Sequence, residues 1–231
     1  MISNIELVKV AKEHIGLAYK WNGDFNGESD IVTPDHVAAW AKEFPTHYSP
    51  EKIKLLLDYY QGKLAGDCSG LVTHSIGLPK TNSYDLWLMC DERHYFNRSL
   101  GLSGQIPNIK GLIVWRKGHI GIYAGDGYVV ESGSTRYGVT VTRIDQPQTG
   151  VKWTGYGFMR SKIDYVSTDE YRVIVTCTEL NVRSTPTSKV KSNIVGTLCR
   201  GSIATVTEVS GVWGKTEKGW INISVRYVKK V

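Results

Sequence analysis

The stretch Gly66-Asp67-Cys68-Ser69-Gly70-Leu71-Val72 constrains this chain more than any other. A polar turn ends at Asp67, a favourable N-cap, and the small, apolar run from Cys68 to Ile76 suits a helix that starts at the cysteine. Gly66 and Gly70 have no Cβ, so another backbone segment can pass close to that start. A cysteine at a helix N-terminus meets unpaired N–H groups and the positive end of the helix dipole. Both favour the thiolate, the nucleophilic form. An isolated cysteine is more often a small buried hydrophobe, so the reading of Cys68 depends on what lies downstream.

Two strand-like runs follow about fifty residues on. His119 opens the first, His119 to Ala124, just after the Lys117-Gly118 turn. Gly125-Asp126-Gly127 reads as a hairpin turn, and Tyr128 to Ser132 returns as the partner strand. Antiparallel pairing across that turn brings Glu131 near His119 on one face, and Val129 and Val130 make the strand partly buried. A carboxylate beside an imidazole holds the Nδ1 proton and raises the basicity of the other nitrogen. A thiol, a base and a group that orients the base form a nucleophilic set, and the candidate catalytic residues are Cys68, His119 and Glu131.

The rest of the chain reads as helices first and a meander of strands after, an α+β pattern. Ser3 and Glu6 form a capping box for a helix from Asn4 to Ile15, with Gly16 as its stop. Thr33-Pro34 and Ser49-Pro50 head helices over Pro34 to Glu43 and Pro50 to Tyr60. Residues 78–110, rich in Pro, Asn, Ser and Gly, read as irregular. Strands are expected at 112–115, 137–143 and 156–159, and a domain boundary at 162–172. Beyond it, runs at 173–175, 180–183, 194–198, 204–209, 212–216 and 219–223 suggest a small β-barrel.

The 231 residues, 41% hydrophobic and 22% charged, suit one large or two small globular domains. No run of eighteen apolar residues occurs, so no membrane insertion is expected, and the first residues show neither a basic nor an apolar leader region. Four cysteines (Cys68, Cys90, Cys177, Cys199) show no CxxC pairing and no metal-ligand spacing with histidine. No disulfide, metal or cofactor is expected, and a reducing birthplace fits. The charge is unevenly placed: residues 1–170 carry 18 Lys/Arg against 19 Asp/Glu, and residues 171–231 carry 10 against 3. The basic tail suggests an anionic partner, nucleic acid or an anionic wall polymer. It lacks the arginine stripe or aromatic platform of a nucleic-acid binder, so no nucleic acid is expected.

Asp67-Cys68-Ser69-Gly70-Leu71-Val72 followed by His119-Ile120-Gly121-Ile122-Tyr123-Ala124-Gly125-Asp126-Gly127 resembles the NlpC/P60 family of papain-like cysteine peptidases, which hydrolyse the peptide stems of bacterial peptidoglycan. Ala18-Tyr19-Lys20-Trp21-Asn22-Gly23 is similar to that family's Tyr-x-Trp-Gly-Gly loop, with Asn22 in place of the first glycine. The resemblance covers residues 2 to about 160. It implies Cys68 as nucleophile, His119 as general base and Glu131 as third polar residue. It implies Tyr19 and Trp21 as substrate-binding, and Asp67 and Ser69 as flanking the nucleophile where substrate-amine contacts are expected. Residues 24–66 are an insertion relative to the family core, read as a lid or cleft wall.

The tail, with Leu180-Asn181-Val182-Arg183-Ser184-Thr185-Pro186 and Gly219-Trp220-Ile221, resembles a bacterial SH3-like domain, a class that binds cell walls. Leu180, Val182 and Trp220 read as its core; Trp213, Tyr227, Lys229 and Lys230 read as exposed wall contacts. The expected organisation is a peptidase domain over 1–163 and a wall-binding domain over 164–231. The resemblance implies peptidoglycan as partner and a D-glutamyl–diamino acid endopeptidase of the phage endolysin kind, made in the bacterial cytoplasm and released to the wall through a holin. An amidase or acyltransferase on the same core, and a wall-binding protein with an inactive peptidase domain, remain alternatives.

Overall fold

Ser3 starts the first helix: its hydroxyl accepts the Glu6 N–H at 3.1 Å, closing the first turn of α1 (Asn4–Glu13). The helix ends two residues short of the expected Ile15, because Gly16 turns away at φ +85° and donates its N–H to Val139 O. Thr33 and Ser49 cap α2 (Pro34–Glu43) and α3 (Pro50–Tyr59) by the same hydroxyl-to-N–H bond, with proline in the first helical turn of each. Asp67 caps α4 (Cys68–Ile76), and Gly77 stops it in the left-handed region.

The computed structural model describes residues 1–97, 99–148, 150–166, 171–210 and 212–231, which fall into two units, Met1–Tyr165 and Val166–Val231. The boundary expected at 162–172 includes residues 167–170, which lie outside the described residues.

The first unit is built on a six-stranded antiparallel sheet in the order β2-β7-β3-β4-β5-β6. Its strands are β2 (Glu92–Tyr95), β3 (Ile113–Arg116), β4 (His119–Gly125), β5 (Tyr128–Ser134), β6 (Gly138–Arg143) and β7 (Gly155–Phe158). A two-residue parallel pair joins β1 (Ile2–Ser3) to β8 (Ile163–Asp164). One apolar cluster unites α1 and α4 with Ile113, Ile120, Ile122 and Val130 of the sheet. A second, around Trp153, Tyr156, Tyr123 and Val129, includes alternate residues of the same strands, as the two-residue side-chain period of a strand requires.

Two elements lie inside the segment read as irregular. Asn82 caps α5 (Ser83–Leu88) through bonds to Tyr84 N and Asp85 N. Trp87 of that helix, buried, stacks on Trp115 at 5.2 Å. β2 has exposed side chains and no apolar pattern; its pairing with β7 supplies the backbone bonds that make it a strand. Periodicity cannot reveal such an edge strand.

Residues 24–66 form an excursion with its own core of Val32, Val37, Trp40, Tyr48, Leu56 and Tyr60. Its base is pinned by backbone bridges that pair Ala18 with Ala65, Asp24 with Gly66 and Ile31 with Leu64. The loop 18–25 therefore runs alongside the turn that delivers Cys68. Gly66 and Gly70 permit this: a Cβ on Gly70 would lie 2.1 Å from Gly23 O, and one on Gly66 would lie 2.3 Å from the Phe25 ring.

In the second unit, β11 (Ile194–Cys199), β10 (Glu179–Arg183), β15 (Gly219–Asn222), β14 (Trp213–Thr216) and β13 (Glu208–Ser210) form one sheet in that order. β12 (Ile203–Val206), β9 (Tyr171–Val175) and β16 (Val228–Lys230) form another. The run expected at 204–209 is split between the two sheets as β12 and β13, and β16 was not anticipated. Leu180 and Val182 lie in the apolar core. Trp220, read as core, is half-buried with the Lys215 ammonium 5.7 Å from its ring centroid. Arg183 is buried and donates to Asn193 Oδ1 at 2.6 Å and to Val190 O.

Gly70→Ala tests the close approach. Alanine gains up to about 1 kcal/mol in helix propensity, but the clash with Gly23 O costs about 1–3 kcal/mol of overpacking. A lowered urea midpoint is expected, with Gly101→Ala, which meets nothing within 4 Å, unchanged; equal midpoints would refute the packing argument.

Candidate active site

Asp67 Oδ1 accepts three bonds: from Gly70 N at 2.7 Å, Ser69 Oγ at 2.8 Å and Lys80 Nζ at 2.6 Å. The first is the helix cap, and it sets Cys68 at the first helical position, where the backbone N–H has no intrahelical acceptor. Ser132 Oγ donates to Gly66 O at 2.8 Å and ties the preceding turn to β5. Cys68 is thus fixed between α4, the loop 18–25 and the sheet.

His119, at the first position of β4, is buried and lines the same cleft as Cys68. Its Nε2–H donates to Glu131 Oε2 at 2.7 Å, since a carboxylate can only accept. The expected partner nitrogen was Nδ1. The pairing of Ile122 with Val130 carries Glu131 to the level of Gly121, two residues from His119, and from there it reaches the far end of the ring. Nδ1 is left as the nitrogen that Glu131 does not engage.

Glu131 is fully buried. Its second oxygen, Oε1, accepts from Thr142 Oγ1 and from Gln148 N. Trp153, also fully buried, stacks under the His119 ring at 5.1 Å and 16°. Burial disfavours the charged imidazole, but the neighbouring Cys68 and Glu131 outweigh it and push the His119 pKa up to about 9. Burial also opposes the Glu131 charge, yet His119, and then Thr142 and Gln148 N–H, hold its pKa below the usual carboxylate range.

Cys68 and His119 line a cleft of about 420 Å³ together with Tyr19, Trp21, Asp67 and Ser69. Six of the seven residues singled out in the sequence therefore meet on one surface, and Glu131 stands behind His119. Asn22, in the glycine position of the upstream loop, takes φ +61°, a left-handed conformation that asparagine tolerates better than most residues. Tyr19 is half-buried, and burial, then the charges of Cys68 and Asp67, raise its pKa; it stays a protonated donor. The Trp21 ring stacks on His47 at 3.7 Å and the Trp21 backbone N–H donates to the Tyr48 hydroxyl, so the excursion walls the cleft. Lys80, Thr81, Asn82, Ser83 and Arg116 also line it. None carried a sequence signal, since each reaches the cleft only through tertiary folding. A larger groove of about 710 Å³ in the second unit is lined by Val173, Val209, Val228 and Lys230 among others, and holds no nucleophile–base pair.

The His119 pKa exceeds its ordinary 6.5, so the pair's contribution to stability is complete below that value and fades as pH rises through about 9. In a histidine NMR titration, the His119 ring signal is expected to move with a midpoint near 9. Glu131→Gln and Cys68→Ala should each lower it; a midpoint unchanged in both would refute the bonding scheme.

No family model matches the sequence, and no curated protein sequence matches it. Among solved structures, the chain is similar to the peptidoglycan hydrolase RipB of Mycobacterium tuberculosis at 16% identity and a TM-score of 0.39, covering 68% of this chain and 64% of that one. It is also similar to the P60 domain of M. avium subspecies paratuberculosis antigen MAP1204, at 17% identity and a TM-score of 0.39 over 68% of this chain and 93% of that one. A third is M. tuberculosis RipD, described as a non-catalytic NlpC/p60 domain protein adapted to peptidoglycan binding, at 16% identity and a TM-score of 0.38 over 66% of this chain and 94% of that one.

Proposed function

We propose that the chain is a peptidoglycan hydrolase that cuts an amide bond of the stem peptide through a Cys-His-Glu thiol mechanism. The observation that carries this reading is the His119–Glu131 hydrogen bond on a cleft that His119 lines together with Cys68, the first residue of a helix.

Cys68 Sγ attacks the scissile carbonyl carbon, and the carbonyl electrons move onto the oxygen. The backbone N–H of Cys68 at the start of α4 stabilises that oxyanion, and the Tyr19 hydroxyl is the second donor. His119 carries the proton on Nδ1 and delivers it to the leaving amine as the C–N bond breaks, which leaves a thioester. Water then attacks the thioester, gives a proton to His119, and releases the acid with regeneration of the thiol. Glu131 keeps Nε2 protonated throughout, so Nδ1 is always the nitrogen presented to the reaction. The bond favoured is that between D-glutamate and the diamino acid.

The second unit is proposed as an SH3-like wall-binding module. Its 10 Lys/Arg against 3 Asp/Glu from residue 171 onward, and exposed Lys229 and Lys230 beside half-buried Tyr227, suit an anionic wall polymer.

The test is a digest of purified peptidoglycan, read by mass spectrometry, with the intact protein and with Cys68→Ala. New peptide termini from the intact protein only are expected, with a loss on the order of 10⁴- to 10⁶-fold in the variant. Free glycans with whole stems would replace the peptidase by an amidase. No release, with the protein still pelleting on walls, would leave a binding protein. Tyr19→Phe is expected to cut kcat by roughly 10²-fold with KM little changed; an unchanged kcat would remove Tyr19 from the oxyanion site.

A further inference from the structure

Asp30 is a buried carboxylate that the mechanism leaves unused. It ends the short 3₁₀ turn Glu28–Asp30 of the excursion and is 3% exposed. Both of its oxygens bond the loop 18–25 or the residue just after it. Oδ1 accepts from Lys20 Nζ, and Oδ2 accepts from the N–H groups of Asp24 at 3.0 Å and Asn26 at 3.2 Å. The Lys20 side chain is also mostly withdrawn from water, 12% exposed, with its ammonium 4.9 Å from the Trp40 ring centroid. Burial opposes the Asp30 charge, but Lys20 and then Asp24 hold its pKa below the usual carboxylate range. Burying such a pair gains little stability over an apolar pair of the same volume, so folding energy alone gives no reason for it.

The loop itself supplies a reason. Asn22 takes φ +61° and Phe25 φ +60°, and a left-handed aromatic residue persists only where its surroundings over-determine it. The two N–H groups held by Oδ2 belong to the residues on either side of Phe25. The Phe25 ring packs against Gly66, two residues before Cys68. The other oxygen acts at the opposite end of the loop. Tyr19 and Trp21 line the cleft with Cys68, while Lys20 between them does not. The Lys20–Asp30 pair thus draws the middle residue of three into the excursion and leaves its two neighbours on the cleft.

We propose that Asp30 is a positioning residue for the cleft. Through Lys20 it keeps Tyr19 and Trp21 on the lining, and through the Asp24 and Asn26 N–H groups it holds the Phe25 conformation that packs the loop against the Cys68 turn. The excursion is then the anchor of the cleft loop as well as its wall. This rests on the reading that the Cys68 cleft is the substrate site.

The test uses the full chain with Lys20→Met and Asp30→Asn combined. That double variant has no buried charge and keeps an amide oxygen for the two N–H groups, so its melting temperature is expected to stay within a few degrees of wild type. A double variant that fails to fold would make the pair structural and overturn the proposal. The first readout needs no hydrolysis. Hydrogen exchange over residues 18–22, followed by mass spectrometry, is expected to rise at least about fivefold, with α2 and α3 unchanged. Exchange unmoved over 18–22, or raised equally in α2 and α3, overturns the proposal. The second readout is kcat/KM on a soluble stem tetrapeptide, expected to fall about tenfold in the double variant. Leu56→Ala, which opens a cavity in the excursion's own core, is expected to lower the melting temperature with kcat/KM unchanged. A full kcat/KM in the double variant, or an equal fall in Leu56→Ala, overturns the proposal. The expected exchange pattern around a wild type that does not cleave the peptide would uphold the loop anchor and sink the peptidase.

Discussion

The start of α4 depends on one carboxylate oxygen and on two missing methyl groups. Asp67 Oδ1 gathers a backbone N–H, a hydroxyl and an ammonium, and in doing so ties the helix cap to the segment beyond the helix. Gly66 and Gly70 let the loop 18–25 lie in direct contact with that cap. Cys68 is thereby positioned by three stretches distant in sequence, and none of them is free to move without disturbing the helix start. Phe25 shows the tension in this packing: it is an aromatic residue at φ +60°, buried against Gly66, a conformation that costs on the order of 1–3 kcal/mol.

The imidazole depends on a comparable arrangement within the sheet. A two-residue strand period puts His119 and Glu131 on one face, and the actual register sets them diagonal rather than opposite. That offset decides which ring nitrogen meets the carboxylate. Trp153 under the ring and Thr142 beside the carboxylate hold the pair in a dry environment where each bond is electrostatically stronger than in water.

Local chemistry made much of this legible in the sequence. The caps Ser3, Thr33, Ser49 and Asp67 are short-range signals, and each bonds the N–H that its position requires. The His119–Glu131 proximity followed from a hairpin turn and an even spacing. The orientation of the ring did not, because it turns on a register that the turn and the β-bulge beside it set together. Lys80 was invisible for a different reason: its meaning arises only when the chain doubles back over thirteen residues. Edge strand β2 and the short helix α5 were missed because backbone pairing and a single cap, rather than a hydrophobic pattern, define them.

The parallel clasp of β1 with β8 sets Ile2 beside Ile163. The first unit therefore begins and ends at one seam, and a fusion partner attached ahead of Met1 would emerge at the same edge as the connection beyond Tyr165. Load applied along that connection would run in shear through the clasp, which lies at the foot of α1. The helix start that carries Cys68 is joined to it by the apolar packing of α1 against α4.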